Sequence, residues 1–208
     1  MSAQPKFTFY TTREAAKRLG VSVTTVQLWV EAGWRTTYVN LNQKIIPFTR
    51  IREREKAYID FFSKLLNELR KRADFPVRQA SPDGTSWIVC QNLAPTGHTV
   101  GQFNYSFTFG KRFRVELYLD TGEQKTTKEI FDRIHSRRQE IEAALGEVRW
   151  ERIDEKRASR IAIYHAGVLS SSKEQLAVLR EWAVNTMITF YKTLEPIATQ
   201  ATVEVLTA

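Results

Sequence analysis

Two groups of side chains carry the chemistry that this sequence offers, and the first lies between Thr11 and Arg35. Hydroxyl and amide side chains on a helix can hydrogen-bond phosphate oxygens and base edges in the major groove of DNA. Lysine and arginine side chains beside them can neutralise phosphates. We therefore predict that this segment binds double-stranded DNA through Arg13, Lys17, Arg18, Ser22, Thr24, Thr25, Gln27, Leu28 and Arg35.

The second group is acidic and lies on predicted strands nearer the middle of the chain. Because side chains alternate along a strand, the face opposite the predicted core carries Arg114, Glu116, Tyr118 and Asp120, and Arg160 could join them. Acids beside basic groups can hold a metal ion and a phosphate, as in nucleases. The alternative function is thus a metal-dependent DNA endonuclease or a nuclease-accessory protein, with candidate residues Glu116, Asp120, Asp154 and Lys156. The same acids could instead form cross-strand ion pairs, so no catalytic residue is assigned.

The remaining reactive side chains show no spacing of a metal or cofactor site. The three histidines lack ligand spacing with Cys90, and no glycine-rich phosphate loop occurs. We therefore expect no metal and no cofactor. Cys90 follows an apolar run and is expected to be a buried small side chain, and one cysteine excludes an internal disulfide.

Two short helices, near residues 12–19 and 22–32, are predicted to position the DNA-binding group. Ala16 is small, as required where two helices cross closely, and Gly20 permits the turn between them. Ser22 can cap the second helix. The segment is therefore predicted to be a helix-turn-helix.

Residues 11–33 resemble the helix-turn-helix of excisionase and MerR-type regulators in their Thr, Ala-Ala, Leu-Gly-Val-Ser, Thr-Val and Trp pattern. The resemblance implies a DNA-binding head that acts in transcription regulation or as a DNA-recognition subunit. The Gly-His-Arg-Arg-type run of that family's wing is missing from Trp34–Arg50. Thr36–Val39 and Lys44–Phe48 could still pair as a wing, or the segment could be a linker.

For the whole chain we predict an α+β fold. A small all-α head precedes a mainly antiparallel sheet with helices packed on one face. Alternation places Phe103, Tyr105, Phe107 and Phe109 on the core face. We predict helices near 51–72, 125–145 and 172–194, the last stopped near Pro196, and strands at Trp87–Gln91, Gln102–Phe109, Phe113–Asp120, 148–154 and 159–164.

Several short stretches after Tyr58 carry a second resemblance: Phe61-Phe62, Arg114–Asp120, Lys128, Phe131, Ile141-Glu142, Leu145-Gly146, Trp150–Arg152 and Ser159–Ile161. In them the chain resembles a bacterial domain of unknown function that is often found at the C-terminus of restriction-endonuclease-like proteins. The resemblance implies a setting in mobile-element or defence biology, including restriction-modification.

Composition and charge limit the class of partner. The chain has 208 residues and a net charge of +8, and residues 1–50 hold seven basic and two acidic side chains. This excess favours an anionic partner. No apolar run approaches the ~20 residues that cross a bilayer, and the start shows no signal region, so we expect a cytoplasmic protein without a membrane partner.

We expect two domains, a head at residues 1–50 and a body at 51–208 with a possible protein partner. We also expect a homodimer, because one small head can read only a short DNA site.

Overall fold

The computed structural model describes residues 48–72, 75–77 and 81–207, together with a few positions nearer the N-terminus, which are Arg13, Ala16, Lys17, Ser22–Thr24 and Gln27. The chain divides into two compact units, residues 1–53 and 54–208. Within the described part of the chain, no helix has the length and apolar character needed to cross a bilayer.

The first complete helix, α1, spans Phe48–Arg70. Its apolar side chains recur every three or four residues, so they form one stripe along the helix. That stripe is buried, and its members are Tyr58, Phe61, Phe62, Leu65, Leu66 and Leu69. The helix predicted near 51–72 is therefore confirmed, with a start three residues earlier.

One five-stranded sheet forms the centre of the body. Its strands are β1 (Trp87–Leu93), β2 (Gly101–Thr108), β3 (Arg112–Leu119), β4 (Arg149–Glu151) and β5 (Ser159–Ala166). They lie in the order β1-β2-β3-β5-β4, and every neighbouring pair is antiparallel. The predicted α+β class with an antiparallel sheet is confirmed.

The core face of the sheet is covered by α1 and by the C-terminal helix, α4 (Lys173–Leu206). The ring centroid of Phe61 in α1 lies 4.9 Å from that of Phe107 and 5.7 Å from that of Phe113. Tyr191 in α4 approaches Phe103 to 4.9 Å. Both helices therefore pack on one face of the sheet, as predicted.

The single helix predicted near 125–145 is wrong, because two helices occupy this stretch. They are α2 (Gln124–His135) and α3 (Arg138–Leu145). Ser136 ends α2, and its hydroxyl donates a hydrogen bond to the carbonyl of Arg133 at 2.6 Å. A serine side chain that bonds to nearby backbone competes with helix continuation, and Arg137 then leaves the helical region with φ −99° and ψ 21°.

The predicted end of the last helix near Pro196 is also wrong, because α4 continues to Leu206 with Pro196 inside it. Proline removes one backbone N–H and usually bends or ends a helix. The turns that follow it bury Ile197, Ala198 and Ala201. Their burial in the core outweighs the loss of one backbone hydrogen bond.

Phe109 does not lie on the core face, contrary to the alternation pattern. Its predecessors Phe103, Tyr105 and Phe107 are buried, but Phe109 is 99% exposed. The strand β2 ends at Thr108, and the hairpin turn begins directly after it. A turn residue no longer alternates, so its side chain points away from the core.

Candidate functional site

The first part of the predicted DNA-binding segment is described at three positions, Arg13, Ala16 and Lys17, all of which are helical. Ala16 is buried, with 3% of its surface exposed, whereas Arg13 and Lys17 are exposed. Residues four apart lie on the same side of a helix, so the two cations share one side. Arg18 lies outside the described residues.

The second part is described at Ser22–Thr24 and Gln27. Ser22 is not helical, but Val23, Thr24 and Gln27 are, which places Ser22 where an N-cap residue stands. Ser22, Thr24 and Gln27 are exposed, and residues three apart are neighbours on a helix surface. The candidates Thr25, Leu28 and Arg35 lie outside the described residues, as does most of the stretch read as a wing or linker.

The polar face of the sheet carries an ionic cluster formed by Arg114, Glu116, Glu151, Arg160 and Tyr164. The strand register brings them together: Arg114 lies across from Tyr164, and Arg160 lies across from Glu151. Alternation places Glu116 on the same face as Arg114. The predicted grouping of Arg114 and Glu116 with Arg160 on one face is confirmed.

Glu116 is the buried centre of the ionic cluster, with 3% of its surface exposed. Its Oε2 lies 2.9 Å from Nε of Arg114 and also contacts Nε of Arg160. Burial raises the pKa of Glu116, and the positive charges of the two arginines oppose that rise. A carboxylate at this depth needs compensating charge, and these arginines supply it.

Glu151 links the ionic cluster to the edge strand. Its Oε2 accepts a hydrogen bond from Nη1 of Arg160 at 2.6 Å, and its Oε1 accepts one from the hydroxyl of Tyr164 at 2.7 Å. Burial alone would raise the pKa of Glu151, but these hydrogen bonds outweigh it and hold the pKa below its usual value. On the outer side, the guanidinium of Arg112 lies 4.6 Å from the centre of the Tyr164 ring.

Asp120 does not join the ionic cluster, because β3 ends one residue earlier at Leu119. It forms a two-point ion pair with Arg157, in which Nε donates to Oδ1 at 2.7 Å and Nη2 donates to Oδ2 at 2.8 Å. These hydrogen bonds lower the pKa of Asp120. Asp120 and Arg157 line a shallow polar cavity of about 380 Å³ together with Tyr118.

Asp154 and Lys156 lie in the connection between β4 and β5 and not at a strand end, because β4 stops at Glu151. Asp154 pairs with the guanidinium of Arg152, and Lys156 is exposed. Glu116, Asp120 and Asp154 therefore form ion pairs with different arginine side chains. Among the described residues, no group of three or more histidine, cysteine, aspartate or glutamate side chains is placed to hold a metal ion.

Sequence reasoning gave no role to Lys128, which proves to be a buried structural cation in α2, with 6% of its surface exposed. Its ammonium donates to the carbonyls of Arg152, Ile153 and Ala158, the last two at 2.9 Å and 2.8 Å, and to the hydroxyl of Ser159 at 2.9 Å. Burial lowers the pKa of Lys128. The signal in the sequence was the spacing of Lys128 three residues before Phe131, which places the lysine on the apolar side of α2.

These contacts explain the shape of the β4–β5 connection. Ile153 has a φ of 53°, which a β-branched residue rarely adopts. Because Lys128 binds the carbonyl of Ile153 on one side of the turn and that of Ala158 on the other, it fixes this conformation. The same turn carries Arg157 to Asp120.

The described residues define an α+β domain whose antiparallel sheet has one helix-covered apolar face and one ion-paired polar face. The chain belongs to the family described as Domain of unknown function (DUF4268), whose model matches residues 57–198. No curated protein and no solved structure matches the chain. The matched range contains the whole sheet and excludes the candidate DNA-binding residues.

Proposed function

We propose that the protein binds double-stranded DNA through its N-terminal segment and acts as a regulator or as a DNA-recognition subunit. One observation carries the proposal. Arg13, Lys17, Thr24 and Gln27 are exposed on helical backbone, while Ala16 between them in sequence is buried. This distribution fits a helix pair with a small residue at its crossing and polar groups on its surface.

The types of these side chains fit two separate tasks. Arg13 and Lys17 can contact phosphates, which gives affinity that is independent of sequence and sensitive to salt. Thr24 and Gln27 can reach base edges, and glutamine can form a two-point contact with adenine. The excess of basic over acidic residues in the first fifty positions adds long-range attraction to DNA.

The biological role that we infer for this DNA binding rests on the resemblance of the body to a domain often found in restriction-endonuclease-like proteins. We infer a role in mobile-element or defence biology, including restriction-modification, and a cytoplasmic location. The metal-dependent nuclease alternative remains a prediction, and no contact among the described residues favours it. The arginine partners of Glu116, Asp120 and Asp154 leave these carboxylates already engaged.

Fluorescence anisotropy on a pool of random duplexes at two salt concentrations tests the proposal. The wild type should bind, and binding should weaken steeply with salt. The Arg13→Ala/Lys17→Ala variant should bind all sequences more weakly, and its dependence of log K on log salt should fall by about 2, one for each lost phosphate contact. The matched control is Lys71→Ala/Lys125→Ala, which removes the same charge from exposed positions of the body.

Selection of bound sequences tests the base contacts. Gln27→Ala should lose about 1–3 kcal/mol of discrimination at one base pair, while its non-specific affinity stays near that of the wild type. Wild-type protein that is folded and shows no salt-sensitive binding would refute the proposal. Equal loss of binding in the control variant would show that bulk charge, and not this segment, attracts DNA.

A further inference from the structure

Phe109 stands at the tip of the β2–β3 hairpin with 99% of its surface exposed. The turn that carries it is held in place from both sides. The hydroxyl of Thr108 donates to the carbonyl of Arg112 at 3.2 Å, and the amide of Gly167 donates to the carbonyl of Lys111 at 3.0 Å. A large aromatic side chain on a fixed turn gains free energy when another surface covers it.

An open cavity of about 510 Å³ lies directly beside this tip. Lys111 of the hairpin forms one side, and Val168, Val178 and Leu179 supply an apolar lining from the end of β5 and the start of α4. Val178 is itself 63% exposed. The ring of Phe109 lies in solvent, so it does not fill the cavity of its own chain.

We propose that this face pairs two copies of the chain, with Phe109 of each copy seated in the cavity of the other. A two-fold contact uses the same surface of both copies, so that surface must be complementary to itself. Phe109 and the cavity meet this requirement, because Lys111 belongs both to the hairpin tip and to the cavity wall. The contact is closed, so it produces a dimer and not a filament.

The charges around the cavity favour a second copy over a nucleic acid as the occupant. Lys111 and Glu174 both line the cavity, so the face carries one charge of each sign. Two such faces attract each other when a two-fold axis brings the lysine of one copy near the glutamate of the other. A polyanion would gain from the lysine but be repelled by the glutamate.

This pairing goes beyond DNA binding by a single chain. A dimer brings two N-terminal heads into one particle, which lengthens the DNA site that they can read and raises the affinity through linkage. Its test uses the protein without DNA, so the outcome does not depend on the proposed function.

Sedimentation equilibrium over a concentration series measures the association. The wild type should be a dimer, and Phe109→Glu should raise the dissociation constant by at least about 30-fold for each of the two anchors that it removes. Val178→Glu should act in the same direction. Ile59→Glu is the matched control, since Ile59 is an exposed apolar residue on α1, away from the cavity lining. It should remain a dimer.

A charge exchange tests the geometry independently of folding. Lys111→Glu and Glu174→Lys should each weaken the dimer, and the double variant should restore it, because the pairing across the two-fold axis is then reversed. A wild type that stays monomeric across the series would overturn the proposal. So would a Phe109→Glu variant that dimerises as strongly as the wild type.

Discussion

The two faces of the central sheet use the same strands and reach similar burial by different means. On β3, Phe113, Val115 and Leu117 are fully buried on one face, and Glu116 on the other is 3% exposed. The apolar face is stabilised by area removed from water, which does not depend on direction. The polar face is stabilised by particular charge pairs, and its buried carboxylate is tolerated only where arginines reach it.

This difference means that burial alone does not measure what a residue contributes. Removing an apolar side chain loses area and leaves a cavity. Removing one member of the ionic cluster leaves a charge without its partner, and that loss varies with pH. The following changes separate the two kinds of stabilisation.

The largest effect is expected on the apolar face, from Phe113→Ala. The ring of Phe113 contacts those of Phe61, Tyr105, Phe107 and Trp182, so its loss leaves a cavity at the centre of the core. The free energy of unfolding should fall by about 3–5 kcal/mol, measured by urea denaturation. Leu206→Ala is the control, since it removes an apolar side chain that is 44% exposed at the last residue of α4 and should change stability by less than about 1 kcal/mol. Similar losses in both variants would contradict the packing.

On the polar face, Arg160→Met should lower the free energy of unfolding by about 3 kcal/mol at neutral pH, because it leaves a buried carboxylate short of one cation. Without Arg160 the pKa of Glu116, already raised by burial, should rise further. The deficit should then shrink as pH falls and Glu116 takes up a proton. Arg160→Lys, which keeps the charge, should lose less. A deficit that does not change with pH would show that packing of the arginine, and not its charge, is responsible.

The Lys128→Met variant tests whether removing a buried charge from the helix-covered side lowers the free energy of unfolding, as it should on the polar face. It leaves the carbonyls of Arg152, Ile153 and Ala158 without this donor, and an unsatisfied buried acceptor costs about 1–3 kcal/mol. We expect a loss of about 2 kcal/mol in urea denaturation. Hydrogen exchange should rise first in the β4–β5 connection. Unchanged exchange there would contradict the role of Lys128 in fixing the turn.

The smallest effect is expected from Asp120→Asn, because Arg157 is more than half exposed and water screens the pair. A loss of about 0.5–1 kcal/mol is expected at neutral pH. The pKa of Asp120 is lowered in the folded protein, so its contribution is present above the unfolded pKa of about 3.9 and is lost as pH falls through the lower folded value. Thermal unfolding of both proteins from pH 7 to pH 2 should show the two curves converging. Curves that stay parallel would exclude the ion pair as the cause.

Much of the fold could be predicted because it follows from local patterns. The stripe of α1 and the apolar side chains at every second position of β2 and β3 depend only on residue spacing, and both sets are buried in the structure. The errors arose where non-local packing or a turn overrode the pattern. Burial of Ile197 and Ala201 carries α4 past Pro196, and the end of β2 at Thr108 exposes Phe109.

The candidate sites were predictable as residue types but not as partners. Alternation put Arg114 and Glu116 on one face, yet Arg157 and Asp120 are 37 positions apart. Their contact depends on the turn that Lys128 fixes, and no spacing rule describes that turn. In the N-terminal segment, the exposed Thr24 and Gln27 agree with the pattern, but surface position does not specify which bases they would contact.

Cys90 is the chain's single cysteine and lies fully buried in β1. Burial raises the pKa of its thiol, so the folded protein presents almost no thiolate to a reagent. A thiol-reactive dye can modify Cys90 only after β1 separates from its neighbours. Cys90 is thus a built-in probe of local unfolding, and its labelling rate measures how often the sheet opens under native conditions.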